Sequence, residues 1–278
     1  MTKALINRIL PFSSVDGPGN RTAIFLQGCN FNCLYCHNPE TLNHCIHCGK
    51  CAKECPSGAL VVKNNKIIWN KTLCEKCDKC LDVCPNTSSP KVISMSVDEV
   101  LKEINKTNAF ISGITVSGGE CTLQCEFLTS LFTEVKKIGL TCFVDTNGST
   151  TFQNQKELVE VMDMAMVDLK SYNPEEHKML TGMDNKVVIE NIKYLAEINK
   201  LYEVRTVIVP ETLNNYYNVD MTSRLIASLN PNIRYKLIKY RSIGVRPGIL
   251  DSYSPSDNMM QDLKELAVKN GCKNIVLI

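Results

Sequence analysis

The sequence predicts an α/β protein: a run of βα units around an open or closed barrel, interrupted near its start by a small cysteine-rich module. Two observations carry this. Short apolar runs alternate with amphipathic stretches along most of the chain, as strands and helices do around a parallel sheet. Eleven of the fifteen cysteines crowd into residues 29 to 84. The candidate strands are Ala23 to Gln27, Gly113 to Val116, Thr141 to Val144, Ala165 to Leu169, Val204 to Val209, Tyr235 to Ile238 and Asn274 to Leu277. Between them, Phe127 to Ile138, Glu157 to Met162, Val187 to Ile198, Met221 to Leu229 and Met259 to Val268 space apolar residues for one buried helical face. Val97 to Ile104 follows Ser96, three residues before Glu99, which is the pattern of a capping box.

Composition narrows the function classes. With 44% hydrophobic and 22% charged residues, the chain has the make-up of a globular protein, and no run is apolar enough to cross a bilayer. The first residues are broken by Asn7, Arg8 and Pro11, so an export signal is not expected and the cytoplasm is. A net charge of +2 predicts neither nucleic acid nor membrane as a partner. Fifteen cysteines in an unexported chain do not make a disulfide framework; they ask for metal. Cys121, Cys125, Cys142 and Cys272 lie outside the tight spacings and are expected to be packing residues.

Cys29, Cys33 and Cys36 form a C-x3-C-x2-C triplet directly after the first predicted strand. In a barrel, the loops after the strands carry the chemistry. A 4Fe-4S cube held by three thiolates keeps one iron open. An amino acid can chelate that iron through its amino and carboxylate groups. S-adenosylmethionine (SAM) offers both beside a sulfonium, and an electron delivered there breaks a carbon–sulfur bond to give a 5'-deoxyadenosyl radical. A structural zinc, or a fourth cysteine from elsewhere, is the competing reading.

The segments CIHCGKCAKECP (45 to 56) and CEKCDKCLDVCP (74 to 85) are an internal repeat of C-x2-C-x2-C-x3-C-P, the bacterial ferredoxin run, in which the fourth cysteine serves the other cluster. This assigns Cys45, Cys48, Cys51 and Cys84 to a second cluster, and Cys74, Cys77, Cys80 and Cys55 to a third. Zinc is the alternative. Asn64-Asn65 between two apolar pairs predicts a short hairpin. His44 and His47 are expected to be surface residues. The predicted division is a barrel of residues 1–38 and 91–278 with an insert at 39–90, entered after the triplet and left through the turn-rich Pro85 to Pro90.

A third set recurs after later strands: Ser117-Gly118-Gly119-Glu120, Asp145-Thr146-Asn147-Gly148, Asp168-Leu169-Lys170 and Arg205. Glycines let a ligand near the backbone, and the charged residues suit the two ends of an amino acid. Each alone is as well explained by a turn or a solvated pair.

Together, VDGPGNRTAIFLQGC, CLYCHNP, SGGE, DTNG, DLK and VRTVIVP resemble, in order, the glycyl-radical-enzyme activases of the radical SAM superfamily. ISGITVSGGECTLQ and the length are most similar to the YjjW-type branch. The resemblance implies a partial (β/α)6-type radical SAM barrel with an inserted two-cluster ferredoxin-like α+β module. It implies three 4Fe-4S clusters, SAM, a glycyl radical enzyme as protein substrate, and a flavodoxin- or ferredoxin-type electron donor. Tyr35, Cys36 and His37 would lie near adenine. Gly118, Gly119 and Glu120 would take the SAM amino group by backbone and side chain. Asp168, Leu169, Lys170 and Arg205 would serve the carboxylate and sulfonium region, with Asp145 also at SAM. A monovalent cation would use Asp145, Thr146, Met166 and Asp168. Asp16, Gly17, Pro18 and Gly19 would contact the partner's glycine loop. Arg241 stands where many activases carry His, and would stack on adenine or donate to the ribose. A radical SAM enzyme acting on a small molecule or peptide, and a plain electron carrier, are the alternative functions.

Overall fold

The computed structural model describes residues 2–278. Strand β1 spans Lys3–Ser13 and β2 Arg21–Leu26. The cysteine-rich segment then contributes helix α1 (Lys50–Lys53), strands β3 (Leu60–Lys63) and β4 (Lys66–Trp69), and helix α2 (Lys79–Asp82). The chain continues through β5 (Ile93–Ser96), α3 (Val97–Asn105), β6 (Gly113–Gly118), α4 (Cys125–Lys137), β7 (Thr141–Thr146), α5 (Lys156–Val161) and β8 (Met164–Asp168). It closes with α6 (Pro174–Thr181), α7 (Lys186–Glu197), β9 (Leu201–Ile208), α8 (Asn215–Leu229), β10 (Arg234–Lys239), α9 (Asp257–Lys269) and β11 (Ile275–Leu277).

Nine strands form one sheet in the order β11-β10-β9-β8-β7-β6-β2-β1-β5. β2 and β6 to β11 run parallel; β1 pairs antiparallel with β2 on one side and with β5 on the other. With β11 and β5 as edges, the sheet is a partial barrel. Side chains alternate across each strand. Ile24, Ile114, Val116, Val144, Val167, Val204 and Leu237 are fully buried in the main core, to which α4, α7 and α9 also contribute Leu131, Ile192 and Leu263. The alternate residues Thr115, Phe143, Asp145, Met166, Glu203, Arg205 and Lys236 occupy the opposite face, which is polar. That polar face positions the site.

The predicted strands and helices are present within a few residues. The capping box holds: Ser96 Oγ accepts from Glu99 N–H, and the Glu99 carboxylate from Ser96 N–H. Asn64 and Asn65 both adopt positive φ (52° and 58°) in the β3-β4 turn, as a two-residue hairpin turn demands. Three elements were not anticipated. β1 carries Pro11 and mixed polarity, and is held by strand pairing on both sides rather than by an apolar run. β5 is four residues long. α6 opens on Asn173, whose side chain caps Glu175 and Glu176 N–H, with Pro174 in the first turn; this start signal is legible in SYNPEE. α8 begins six residues before Met221 because Asn214 caps Tyr217 N–H.

β3, β4, α1 and α2 surround a small core of their own, Cys51, Leu60, Ile67 and Cys80, separate from the main one. Among the described residues, no helix is long and apolar enough to cross a membrane.

Candidate active site

The loop after β2 is stitched to its neighbours through the backbone. Gly28 N–H donates to Thr41 O (2.8 Å), Cys29 N–H to Leu42 O (2.9 Å), Asn32 N–H to Thr181 O (2.8 Å) and Leu34 N–H to Leu180 O (3.0 Å). α6 thus braces the loop, and buried His177 sets its ring edge-on to Phe31, 5.5 Å between centroids. The end of β6 braces it from below. Gly119 N–H donates to Leu26 O and Glu120 N–H to Gly28 O. A Cβ on Gly119 would lie 2.2 Å from the Gly28 carbonyl oxygen, so only glycine permits this approach.

That geometry gives Glu120 a structural role. The Glu120 carboxylate is buried and accepts four bonds, from Thr122 N–H and Oγ, Thr146 Oγ and Asn147 N–H. Four is the capacity of a carboxylate. Glu120 therefore ties the end of β6 to the Asp145-to-Gly148 turn, with both carboxylate oxygens engaged by protein donors.

The three thiols suit an iron-sulfur cluster. Burial pushes the Cys29 thiol up to about 12, against a lowering bond from Phe31 N–H, with Glu120, Cys33 and Cys36 adding repulsion. Burial likewise raises Cys33 to about 11 and also raises Cys36. Such a set resists deprotonation until a cation compensates it, which is what iron supplies. Asn147 Nδ2 lies 3.7 Å from Cys29 Sγ. Tyr35 is buried with its hydroxyl unpartnered among the described residues, and Lys170 Nζ stands 5.7 Å from its ring centroid.

Facing this loop are the charged strand ends. Lys170 pairs with Asp168 at 2.7 Å. Arg205 donates to Asp145 at 2.8 Å and to Glu203 at 2.5 Å, and its third nitrogen lies 3.0 Å from Met166 Sδ. Burial opposes the charge on Asp168, but Lys170 and Arg205 outweigh it and hold the carboxyl below its ordinary range. For Asp145, burial and the charges of Asp168 and Asp16 push the carboxyl up against the pull of Arg205. Arg205 stays firmly charged despite burial because Asp145, Asp168 and Glu203 surround it. Two of the four residues expected to hold a monovalent cation already share a charged neighbour. Arg205 lies beside Asp145 and Met166, and the Thr146 hydroxyl donates to Glu120.

Glu203 was missed from the sequence. Fully buried, it pairs with Arg205, with Arg234 at 2.8 Å and with Lys236 at 2.8 Å. Its place two residues before Arg205 on one strand was the available signal, since i and i+2 share a face. Asp16 to Gly19 lie on the β1–β2 turn, at the amino edge of the sheet, where Asp16 O accepts from Thr115 Oγ (2.5 Å) and Pro18 O from Arg21. The turn folds back along the polar face, so that the Asp16 charge also acts on Asp145. Arg241 is exposed and meets the loop through its main chain: its carbonyl lies 2.8 Å from His37 Nε2.

In the insert, the two copies of the repeat keep one backbone. His47 and Lys76 (φ 56° and 58°), and Gly49 and Asp78 (φ 83° and 59°), share the left-handed conformation. Cys55, Cys74, Cys77 and Cys80 line a single cavity with Lys91, and the Cys51 thiol is raised to about 11 by burial and by Cys45, Cys80, Cys84 and Cys48 around it. No group of three His, Cys, Asp or Glu among the described residues is placed to share one metal ion; a cube spreads its ligands over separate irons. His44 and His47 are exposed. Of the remaining cysteines, Cys121, Cys142 and Cys272 are buried and Cys125 partly so.

A three-cysteine loop at the carboxyl edge of a partial barrel, facing paired carboxylates and cations, defines a radical SAM site, and residues 23–218 match the Radical SAM superfamily. The chain is 30% identical to the pyruvate formate-lyase-activating enzyme of Streptococcus mutans, over 86% of this chain and 78% of that protein. It is 28% identical to the indoleacetate decarboxylase activating enzyme of Tractidigestivibacter scatoligenes, over 99% and 97%. It is 29% identical to a putative glycyl-radical enzyme activating enzyme of Haemophilus influenzae, over 98% and 96%. In fold it is similar to QueE from Escherichia coli (TM-score 0.58, 14% identity, 99% of this chain and 94% of that one). It is also similar to a domain of a pyruvate-formate lyase-activating enzyme from Bacteroides vulgatus (TM-score 0.51, 21% identity, 60% and 99%). The chain belongs to the radical SAM superfamily and, within it, to the glycyl-radical-enzyme activating enzymes.

Proposed function

We propose that this enzyme reductively cleaves SAM and abstracts a hydrogen from one backbone glycine of a partner glycyl radical enzyme. The observation that carries the reading is the cysteine loop set against the Asp145–Arg205 and Asp168–Lys170 pairs on one polar sheet face. With a 4Fe-4S cluster on Cys29, Cys33 and Cys36 and SAM beside it, one-electron reduction supplies the 5'-deoxyadenosyl radical. The protein's own part is to bind and orient. Lys170 and Arg205 offer charge to the SAM carboxylate. Asp145 and the main-chain carbonyls of Gly118 and Gly119 offer acceptors to its amino group. Tyr35, Cys36 and His37 flank adenine, and Asp168 and Leu169 keep Lys170 in place. Arg241 acts on this group through His37. A partner loop that reaches Asp16 to Gly19 lies along the polar face, with its glycine toward Cys29.

Residues 39–90 are a ferredoxin-like unit in this reading, with one cluster on Cys45, Cys48, Cys51 and Cys84 and another on Cys74, Cys77, Cys80 and Cys55, bringing the total to three. Its separate core and the four-cysteine cavity support it. A flavodoxin- or ferredoxin-type donor supplies electrons in the cytoplasm. The test is electron paramagnetic resonance on enzyme, SAM, reductant and a glycyl radical enzyme encoded nearby, then exposure to oxygen. A protein radical followed by cleavage at one glycine is the expected result. SAM consumption with turnover of a small molecule and no protein radical sinks the reading.

A further inference from the structure

The hairpin of the insert leaves an unusual face uncovered. Leu60 and Ile67 turn into the small core, whereas Val61 and Ile68, cross-strand partners, are 50% and 46% exposed. Val61 and Val62 line a groove with Ile46, Cys48, Ala52 and Lys53, and Ile46 and Val62 are themselves 61% and 53% exposed. Three exposed aliphatic side chains lining one groove, with Ile68 across the hairpin from Val61, mark a contact site on so small a unit. Its rim is cationic: Lys53 lines the groove, Lys63 and Lys66 pair beside it at the hairpin tip, and none of the groove's lining residues is acidic. Cys48 is one of the two exposed cysteines of the insert and borders this groove.

Resting on the two-cluster reading of the insert, we propose that an acidic one-electron carrier protein docks on this face and delivers its electron through the Cys48 edge. An apolar centre ringed by lysines complements a carrier whose redox centre is framed by carboxylates. A cluster ligand at the groove lets the two redox centres approach. The glycyl radical enzyme has a different demand, because its glycine must reach the Cys29 loop on the barrel strands. The step balances simply: the carrier is oxidised by one electron, the cluster held by Cys45, Cys48, Cys51 and Cys84 is reduced by one, and no bond or proton moves.

The test follows cluster reduction in full-length, cluster-loaded enzyme by stopped-flow absorbance. Photoreduced flavodoxin is the carrier, and the small deazaflavin radical, formed by illumination with a sacrificial electron donor, is the control. In Lys53→Glu/Lys63→Glu/Lys66→Glu the second-order rate constant with flavodoxin is expected to fall about 100-fold, within the range of electrostatic steering. The wild-type rate should drop steeply with salt, and the deazaflavin rate should not change. Val61→Asp should slow the flavodoxin reaction in the same selective way. An unchanged flavodoxin rate in both variants overturns the proposal. So does equal slowing with both reductants, which moves the effect to the cluster itself. Weakened binding of the glycyl radical enzyme with unaltered reduction reassigns the surface to that partner and also overturns it. Iron, sulfide and resonance spectra of the same samples separate the two levels: a wild-type insert without clusters fails the cluster reading, whereas intact clusters with unaltered rates fail only the docking surface.

Discussion

Cys29, Cys33 and Cys36 sit on a loop bonded to β6, α6 and the Thr41–Leu42 segment and surrounded by buried charge. The eight cysteines of the insert sit on two four-residue helices and their flanking turns, around a core of four residues, with Cys48 and Cys77 in solvent. On the proposed reading, one ligand type serves two purposes. Three ligands in a wired, charged setting suit a bound substrate, and four plus four in a compact, exposed unit suit electrons passing through. Within the insert the copies also diverge. Where the first has Gly49, the second has Asp78, whose carboxylate pairs with Lys91 at 2.5 Å beside the Cys80 cavity.

The largest effect that separates the regions is expected from Cys29→Ala/Cys33→Ala/Cys36→Ala. SAM cleavage should vanish, while iron per chain falls only from about twelve to about eight. Retained cleavage, or loss of all iron, breaks the division. Next is Glu203→Leu, which strands Arg205, Arg234 and Lys236 without their shared anion. Denaturant unfolding should show about 3–5 kcal/mol of lost stability. Lys91→Met removes a partner whose Asp78 side chain is 60% exposed, so it should cost under about 1 kcal/mol. Its effect should be redox. A cation beside a thiolate-ligated cluster favours the reduced form. At the wild-type midpoint, the reduced-to-oxidised ratio of one insert cluster should fall about tenfold in Lys91→Met, with the other unchanged. Potentials identical to wild type for both would show the copies to be equivalent.

Much of this contrast was legible in the sequence, because cysteine spacing is local: the triplet, the repeat and the strands that follow them can be found along one segment. The Glu203 network was not, because it depends on Arg234 and Lys236 arriving in register on β10. The saturation of Glu120 depends on how the turn after β7 folds back, and the contacts of Arg205 with Asp145 and Met166 depend on the register of β7 to β9. β1 and β5 lacked the apolar pattern because pairing with neighbours, rather than burial of a run, makes them strands.

The smallest effect concerns the brace on the loop. His177 lies 2.8 Å from Met183 O through Nδ1, and its Nε2 has no partner among the described residues. Burial, aided by Lys170, holds its pKa below the ordinary value despite the Met183 bond. A depressed folded pKa gives stability that is complete above the unfolded value of about 6.5 and is lost as pH falls through it toward the folded value. Unfolding of the wild-type protein should weaken over that range by at most about 1.4 kcal/mol per pH unit, and His177→Gln should flatten the profile. A variant with the wild-type slope would remove His177 from the account.

The central claim is that a glycine of another protein gives up its hydrogen at the Cys29 loop. It is tested most directly by supplying the enzyme, SAM and reductant with a partner glycyl radical enzyme labelled with deuterium at the glycine α-carbons. Mass spectrometry of the 5'-deoxyadenosine formed should show one deuterium per molecule, together with a protein radical. 5'-Deoxyadenosine without deuterium, formed at an undiminished rate, would contradict hydrogen abstraction from glycine.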